Sequence, residues 1–287
     1  MKNDCPRIDL HMHTTVSDGT DSPEAITKKV KAADLAVFSV TDHDALTAAE
    51  IIPPLLGEGD PRFVSGVEFS CREGDEKYHI LGYGYDVKGE SIRAVVRRGH
   101  EIRMNKVSRR IAMLGEQFGF SFPREEIDRL LSLDNPGKPH IGNLMVKYGY
   151  AGTKKEAISE YVDRLKVKSE HVAPREAIEG ILGSGGIPVL AHPYYGSGDE
   201  LILGEEMETR LKKLIGYGIR GVEAFYSGFT KKMSLGMVSL AERYGLLITA
   251  GSDYHGENKM VTLGDSGVLT EGEYPDGLKR FLGIVAE

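Results

Sequence analysis

A short strand-like run near the N-terminus ends in two histidines: Ile8-Asp9-Leu10-His11-Met12-His13. Side chains two residues apart on a β-strand point to the same side, so His11 and His13 project together. Paired imidazoles at a strand end are suited to zinc, manganese or iron. Taken alone, the pair is as compatible with two ordinary surface histidines as with a metal site.

Further segments place His, Asp or Glu at or near the ends of predicted strands, and a polar turn after the first strand adds Asp18. These segments are Thr41-Asp42-His43-Asp44, Gly66-Val67-Glu68-Phe69, Tyr78-His79-Ile80, Ala191-His192-Pro193 and Ser252-Asp253-Tyr254-His255. Charged groups are rare in buried strands unless they are paired or bound to metal, because their desolvation is unfavourable. In parallel barrels the C-terminal rim is where active sites are assembled. The recurrence therefore predicts a metal site at that rim and disfavours scattered structural histidines.

The alternation of apolar runs with helical patterns predicts an α/β fold with parallel strands buried on both faces. Strands are expected at residues 8–12, 36–41, 62–69, 78–84, 187–191, 221–225 and 247–250. Helices are expected at residues 22–33, 47–56, 173–182, 207–216, 231–244 and 275–285. These roughly seven strands would form a slightly irregular barrel from residues 1–98 and 171–287. Residues 99–170, which contain several helical patterns, are expected to be a small helical insertion domain.

Composition and charge disfavour several classes of protein. The 287-residue chain has an ordinary globular balance, with 40% hydrophobic and 28% charged residues. Its formal net charge of −7 argues against a basic nucleic-acid binder, but it does not exclude a local basic patch that binds phosphates. Cys5 and Cys71 are too few for a disulfide framework or a Cys-rich zinc module. Without an apolar signal region or an apolar stretch of roughly 18 residues, we expect a cytoplasmic protein with no membrane span.

The order of the motifs resembles that of the PHP (polymerase and histidinol phosphatase) superfamily of metal-dependent phosphoesterases. Four ordered motifs carry the resemblance across nearly the whole chain: Asp9-Leu10-His11-Met12-His13, Thr41-Asp42-His43, Ala191-His192-Pro193 and Gly251-Ser252-Asp253-Tyr254-His255. The resemblance implies a distorted (β/α)7 barrel that binds three divalent metal ions.

The resemblance also implies which residues ligate each ion. The implied ligands of the first ion are His11, His13 and Asp253, with Glu68 bridging to the second ion. The second ion adds His79 and His192, and the third is held by Asp18, His43 and His255. Asp42 and Asp44 are expected to orient ligands or cap a helix rather than to bind metal directly.

This ligand set suits phosphate ester hydrolysis, which needs charge neutralisation and a nucleophile available near neutral pH. Mixed His and carboxylate ligation suits Mn, Fe or Zn better than Mg, which prefers oxygen ligands alone. We expect hydroxide activated by the metal ions to attack phosphorus. Asp253 belongs to the expected catalytic set, and His192 or His255 is expected to protonate the leaving oxygen.

The predicted insertion begins with a basic helix and also carries a short motif. The basic residues are Arg93, Arg97, Arg98, Arg103, Lys106, Arg109 and Arg110. The segment Lys138-Pro139-His140-Ile141-Gly142 resembles the Arg-Pro-His-Ile-Ala segment of a PHP subgroup that acts on nucleotides, with Lys138 in place of arginine. In that subgroup the insertion covers the barrel mouth and helps to hold substrate. The expected substrate contacts are Arg103, Lys138, His140 and Tyr194.

The subgroup resemblance implies a nucleoside 3′,5′-bisphosphate phosphatase that also trims short RNA from its 5′ end. We expect no stable protein partner. An acidic chain with one basic patch suits mononucleotides or short oligomers better than long duplexes. Three alternatives stay open: a histidinol-phosphate or sugar phosphatase of the same superfamily, an amidohydrolase-like C–N hydrolase, and a non-catalytic metal-binding module. The basic insertion disfavours the first alternative, and the intact ligand set disfavours the other two.

Overall fold

The computed structural model describes residues 5–133, 136–167, 170–198, 200–268 and 273–286. The chain divides into two compact units, Met1–Val96 together with Val172–Glu287, and Arg97–His171. Every β-strand among the described residues belongs to the first unit, whereas the second unit is built from helices. The predicted α/β class is therefore confirmed.

Eight strands, in two sheets, occur within the described ranges. They are β1 (Ile8–Asp9), β2 (Val37–Phe38), β3 (Arg62–Phe63), β4 (Gly66–Glu73), β5 (Glu76–Tyr83), β6 (Ile187–Leu190), β7 (Gly221–Tyr226) and β8 (Leu247–Gly251). The first three form a parallel sheet, and the other five form a mixed sheet in sequence order. Every residue of β6, β7 and β8 is buried, as expected for strands that are covered on both faces.

The expectation of parallel strands throughout is wrong for β5, which runs antiparallel to both β4 and β6. Glu73 pairs with Glu76, so only Gly74 and Asp75 connect β4 to β5. A connection of two residues closes a hairpin, whereas a parallel neighbour needs a crossover of about a dozen residues or more. Gly74 adopts a φ of +60°, a conformation that favours glycine. The predicted strand at residues 62–69 also divides into β3 and β4.

Backbone hydrogen bonds connect the two sheets at two places. The Leu10 amide donates to the Ala250 carbonyl oxygen at 2.9 Å, which joins the end of β1 to β8. At the other edge, the Asp44 amide donates to the Glu68 carbonyl oxygen of β4 at 2.9 Å. The segments that follow β1 and β2 are therefore held against β8 and β4.

Ten α-helices lie in the described ranges: α1 (Pro23–Ala32), α2 (Thr47–Ile51), α3 (Glu90–Phe118), α4 (Arg124–Leu131), α5 (Lys138–Lys147), α6 (Lys154–Glu156), α7 (Pro174–Gly183), α8 (Gly204–Tyr217), α9 (Lys231–Arg243) and α10 (Asp276–Ile284). The Ser22 side chain caps α1 by accepting a hydrogen bond from the Ala25 amide at 3.3 Å. A 3₁₀ turn at Pro53–Leu55 follows α2, so this helix is shorter than predicted. None of the described helices has the length and apolar character needed to cross a membrane.

The second unit has an apolar core of its own. This core includes the fully buried side chains of Val107, Leu114, Ile141, Met145 and Ala157. They come from α3, from α5 and from the π-helical turn that follows α6. A contiguous buried cluster of this kind is typical of a unit with independent packing.

Asp9, at the end of β1, anchors the segments that follow β8. Its carboxylate accepts hydrogen bonds from the Ser252 amide at 2.9 Å, the Ser252 hydroxyl at 2.6 Å and the Gly264 amide at 2.8 Å. Asp9 is fully buried, and burial raises its pKa to about 6 in spite of these bonds. Asp9 therefore fixes the backbone next to Asp253, one of the predicted ligands.

Replacing Asp9 with alanine is expected to lower the free energy of unfolding of the metal-free protein by about 2 to 5 kcal/mol, because the buried amide and hydroxyl of Ser252 and the half-buried amide of Gly264 lose their acceptor. Urea-induced unfolding followed by circular dichroism measures the change. Asp75→Ala is the control, since Asp75 is exposed and forms a surface ion pair with Arg72, and little change is expected there. Equal urea midpoints for the two variants would contradict the anchoring role of Asp9.

Candidate metal centre

Most of the predicted ligands lie in the segments that follow strands of the first unit. His11 and His13 follow β1, His43 follows β2, His192 follows β6, and Asp253 and His255 follow β8. Parallel pairing joins β6, β7 and β8, and a parallel bridge joins Met12 to Tyr254. Because these segments leave their strands in the same direction, their polar side chains meet. Asp18 joins them from the loop after His13.

Glu68 and His79 reach the same place from the β4–β5 hairpin. Glu68 lies within β4, and His79 lies within β5 opposite Ser70. The expectation that strands deliver their ligands at or near their C-terminal ends is wrong for Glu68, because β4 continues to Glu73, and for His79, because β5 runs in the opposite direction. The structure nevertheless brings all nine predicted metal ligands together.

The Glu68 carboxylate lies at the centre of this cluster. Its side chain is 1% exposed, and it has histidine nitrogens around both oxygens. Oε1 lies 2.8 Å from His79 Nδ1 and 3.1 Å from His192 Nε2. Oε2 lies 3.3 Å from His11 Nε2, 3.2 Å from His13 Nε2 and 3.2 Å from His43 Nδ1. One buried carboxylate thus contacts five of the predicted ligands.

Two further carboxylates complete the cluster. Asp253 Oδ1 lies 3.6 Å from His11 Nε2, 3.4 Å from His13 Nε2 and 3.3 Å from His255 Nδ1. Asp18 Oδ1 lies 3.6 Å from His13 Nδ1 and 3.3 Å from His255 Nε2. The Asp253 side chain is almost fully buried, whereas that of Asp18 is about half exposed. The cluster is therefore closed around Glu68 and more open at Asp18.

This donor set fits divalent metal ions. Its atoms form three groups, each with all donor atoms within 4.8 Å of one another: His13, Asp18, His43 and His255; His11, His13 and Asp253; His43, Glu68 and His79. Buried His11 Nε2, His13 Nε2 and His43 Nδ1 lack hydrogen-bond partners among the described residues, which is unfavourable unless something else binds them. Donors that share an ion at roughly 2.1 Å lie about 3.0 to 3.4 Å apart, close to the separations seen around Glu68.

Electrostatics set the protonation states of the metal-free cluster. Burial opposes ionisation of Glu68, but the charges of His79 and His11 outweigh it and hold its pKa well below the usual value. Burial also opposes charge on His13, yet the nearby carboxylates of Asp253 and Glu68 raise its pKa to about 10. For His43 burial dominates and lowers the pKa to about 3. The metal-free cluster therefore holds a proton at His13 that a bound metal ion must displace.

Asp42 organises the loop that carries Asp18. Its carboxylate accepts hydrogen bonds from the Thr14 amide, the Thr14 hydroxyl and the Ser17 hydroxyl, each at 2.7 Å. Asp44 accepts a hydrogen bond from the Ser70 amide at 3.1 Å. Both carboxylates thus hold the backbone around the cluster, which favours the orienting role predicted for them.

Glu223 is a buried residue of the site that the sequence analysis missed. It lies in β7, and its Oε1 is 2.9 Å from His11 Nδ1. The sequence does contain a signal, because Glu223 is a charged residue between apolar Val222 and Ala224 in a predicted strand. The same signal identified Glu68.

Lys259 is a second residue that was missed. Its Nζ pairs with Asp253 Oδ2 and donates a hydrogen bond to the Tyr226 hydroxyl at 3.0 Å. The Tyr226 hydroxyl in turn donates to Asp253 Oδ2 at 2.9 Å. Lys259 follows the 3₁₀ turn Gly256–Asn258 and carries no motif that would have marked it in the sequence.

The predicted substrate-binding residues are divided between the two units. Tyr194 belongs to the first unit, where its hydroxyl donates to the Met233 carbonyl oxygen at 3.3 Å and its ring packs on Phe229 with 5.1 Å between centroids. Arg103 lies in α3, and Lys138 and His140 lie in α5, all within the second unit. Their contribution to substrate binding stays a prediction.

Lys138 and His140 each have a partner within the second unit. Lys138 Nζ lies 2.5 Å from Asp163 Oδ1 at the surface. His140 Nδ1 accepts a hydrogen bond from the Gly137 amide at 3.2 Å and so helps to cap α5. Burial lowers the pKa of His140, so the neutral imidazole that this cap requires is favoured.

The fold and the buried cluster of imidazoles and carboxylates define a protein built to hold divalent metal ions. The chain belongs to the PHP domain family, whose model matches residues 9–257. The predicted superfamily is therefore confirmed. A solved structure of a candidate metal-dependent phosphoesterase from Bifidobacterium adolescentis has the same fold, with a TM-score of 0.76, 24% identity, and coverage of 97% of this chain and 96% of that one.

Three relatives are similar over most of their length. A phosphoribosyl 1,2-cyclic phosphate 1,2-diphosphodiesterase of Eggerthella lenta is 28% identical over 87% of this chain and 94% of that protein. A 3′,5′-nucleoside bisphosphate phosphatase of Chromobacterium violaceum is 28% identical over 86% and 87%, respectively. A 5′-3′ exoribonuclease of Haemophilus influenzae is 24% identical over 94% and 97%. Because all three are named for phosphate ester chemistry, the prediction of a hydrolase acting on phosphate esters is confirmed.

Metal binding is expected to release protons and to become tighter as the pH rises from about 6 to about 8, because the metal ion displaces a proton from His13. The pKa of His13 is raised to about 10, so this proton is present across the whole range. Calorimetric titration of zinc into metal-free protein, in buffers with different ionisation enthalpies, counts the protons released. An affinity that is independent of pH, with no proton release, would contradict this description of the cluster.

Proposed function

We propose that this chain is a metal-dependent phosphoesterase that hydrolyses phosphate monoesters of nucleotides, with 3′,5′-bisphosphates and 5′-phosphorylated short RNA as candidate substrates. The observation that carries the proposal is the convergence of six histidines and three carboxylates on one buried point of a PHP-family chain. Such a site neutralises the charge of a phosphate ester, which is the main obstacle to its hydrolysis. The names of the relatives support the choice of nucleotides.

Bound divalent ions supply charge neutralisation and a nucleophile derived from water. The residues of the chain hold the donors in place. His255 Nδ1 lies 2.9 Å from the Asp253 carbonyl oxygen, and because a carbonyl only accepts, Nδ1 carries a proton; in the neutral ring the electron pair then lies on Nε2. This favours ligation by His255 over proton donation. Protonation of the leaving oxygen by His192 stays a prediction, because its Nε2 also faces the cluster, 3.1 Å from Glu68 Oε1.

The three overlapping donor groups support binding of three ions, and their mixed nitrogen and oxygen donors favour Mn, Fe or Zn. We also propose that the two sheets form one distorted (β/α)7 barrel, with β3 and β4 counted as a single interrupted strand. The hydrogen bonds from Leu10 to Ala250 and from Asp44 to Glu68 support this closure. A cytoplasmic location stays a prediction.

A cyclic phosphodiester is a second candidate substrate class. It is favoured by the 28% identity, over 269 residues, to the Eggerthella lenta phosphoribosyl cyclic phosphate diesterase. The same metal cluster suits both classes, because each presents anionic oxygens to the ions and needs a nucleophile from water. Substrate preference therefore depends on groups outside the cluster.

Manganese-loaded protein is expected to release phosphate from nucleoside 3′,5′-bisphosphates at least about 10-fold faster, in kcat/KM, than from histidinol phosphate or a sugar phosphate. Asp253→Asn is expected to lower kcat/KM by about 100-fold or more, because it removes a charged donor that lies beside His11 and His13. A colorimetric phosphate-release assay measures both effects.

Asp75→Asn, in the exposed β4–β5 turn, is the control and should retain full activity. Preferential cleavage of a cyclic phosphate would favour the second candidate over the first. Negligible hydrolysis of every nucleotide and cyclic phosphate by the metal-loaded protein would refute the proposed function and favour the C–N hydrolase alternative.

A further inference from the structure

Glu223 is a fully buried carboxylate in the middle of the apolar strand β7. It is separate from the nine predicted ligands, and the chemistry proposed above does not use it. An ionised carboxylate in such a place is unfavourable unless both of its oxygens are satisfied. Its contacts therefore indicate what it does.

Each oxygen of Glu223 binds a different ligand residue. Oε1 lies 2.9 Å from His11 Nδ1, and Oε2 accepts a hydrogen bond from the His192 amide at 2.8 Å. His11 follows β1 and His192 follows β6, so one side chain connects two ligand segments that are far apart in sequence. Both contacts require an acceptor, which a carboxylate provides at both oxygens.

The contact with His11 fixes which ring nitrogen faces the cluster. Because a carboxylate only accepts, His11 Nδ1 must donate, and the electron pair of the neutral ring then belongs to Nε2. That nitrogen lies 3.3 Å from Glu68 Oε2 and 3.6 Å from Asp253 Oδ1. The Glu223 contact therefore presents the electron pair of His11 to the other predicted ligands.

The contact with His192 holds a strained backbone. His192 has a φ of +24°, in the left-handed region that residues other than glycine rarely adopt. Its amide points at Glu223 Oε2, and this hydrogen bond opposes relaxation of the turn that precedes Pro193.

Gly251 leaves the space that this arrangement needs. A Cβ atom at Gly251 would lie 2.1 Å from His11 Cβ and 2.7 Å from Glu223 Oε1. No side chain fits there unless the pair of residues moves. The lack of a side chain at Gly251, the last residue of β8, therefore allows His11 to lie close to Glu223.

We infer that Glu223 is a positioning residue that orients His11 and His192 for metal binding. This inference rests on the proposed metal site. It adds a residue that binds neither metal nor substrate but fixes the tautomer of one ligand and the backbone of another. Supporting partners of this kind change metal affinity by about 10- to 100-fold in other metal sites.

Glu223→Gln tests the inference, because an amide has one acceptor oxygen and so leaves either His11 Nδ1 or the His192 amide facing an N–H group. The affinity of metal-free protein for zinc, measured by calorimetry, is expected to fall by about 10- to 100-fold. Glu73→Gln is the matched control, since Glu73 also lies in a strand of the first unit but contacts Lys213 and Tyr217 instead. The control should bind zinc as the unmodified chain does.

A second measurement does not depend on the folding of a variant. In the zinc-loaded, unmodified protein, long-range ¹H–¹⁵N spectra should show His11 protonated at Nδ1 and metal-bound at Nε2. The opposite assignment, or an unchanged zinc affinity in Glu223→Gln, would overturn the inference and leave the proposed function intact. Failure of the unmodified protein to bind zinc would instead contradict the metal site and the inference together.

Discussion

The buried carboxylate of Glu68 is the constraint on which the rest of the first unit depends. A charge in the interior of a protein is stable only with close compensating partners, and here five histidine nitrogens lie 2.8 to 3.3 Å from its two oxygens. Those histidines come from segments scattered between residues 11 and 192. The chain must therefore bring β1, β2, β5 and β6 to one point before this carboxylate can be accommodated. The same convergence of strands therefore gives the first unit its fold and brings the predicted metal ligands together.

A layer of supporting carboxylates surrounds this centre. Asp9, Asp42 and Glu223 bind backbone amides, hydroxyls and one ring nitrogen next to the ligands, and none of the three lies among the donor groups. Strain is concentrated in the same place. Among the described residues, four that are not glycine have positive φ, and Asp44, His192 and Asp253 are three of them. Strained backbone at a functional site persists only where surrounding contacts hold it. Glu223 binds the His192 amide, and Asp9 binds the Ser252 amide next to Asp253.

The sequence predicted the site better than it predicted the fold around it. His11, His43, His192 and Asp253 could be found because parallel strands end at a common edge, so polar residues after apolar runs must meet there. The hairpin of β4 and β5 was missed, because its signal is only the dipeptide Gly74-Asp75 between two strand-like runs. Glu223 had a signal in its apolar neighbours. Lys259 had none, since its position depends on a loop whose conformation is set by tertiary contacts.

The antiparallel pairing of β5 with β6 has a consequence for how such a chain can diverge. Tyr83 at the end of β5 is paired with Ile187 at the start of β6, so the two ends of the long intervening segment are already held side by side. The entropy of closing a loop grows only slowly with its length. Segments of quite different size can therefore be exchanged between these two strands without disturbing the strand register. This junction is where related chains could acquire new specificities while retaining the same inherited chemistry.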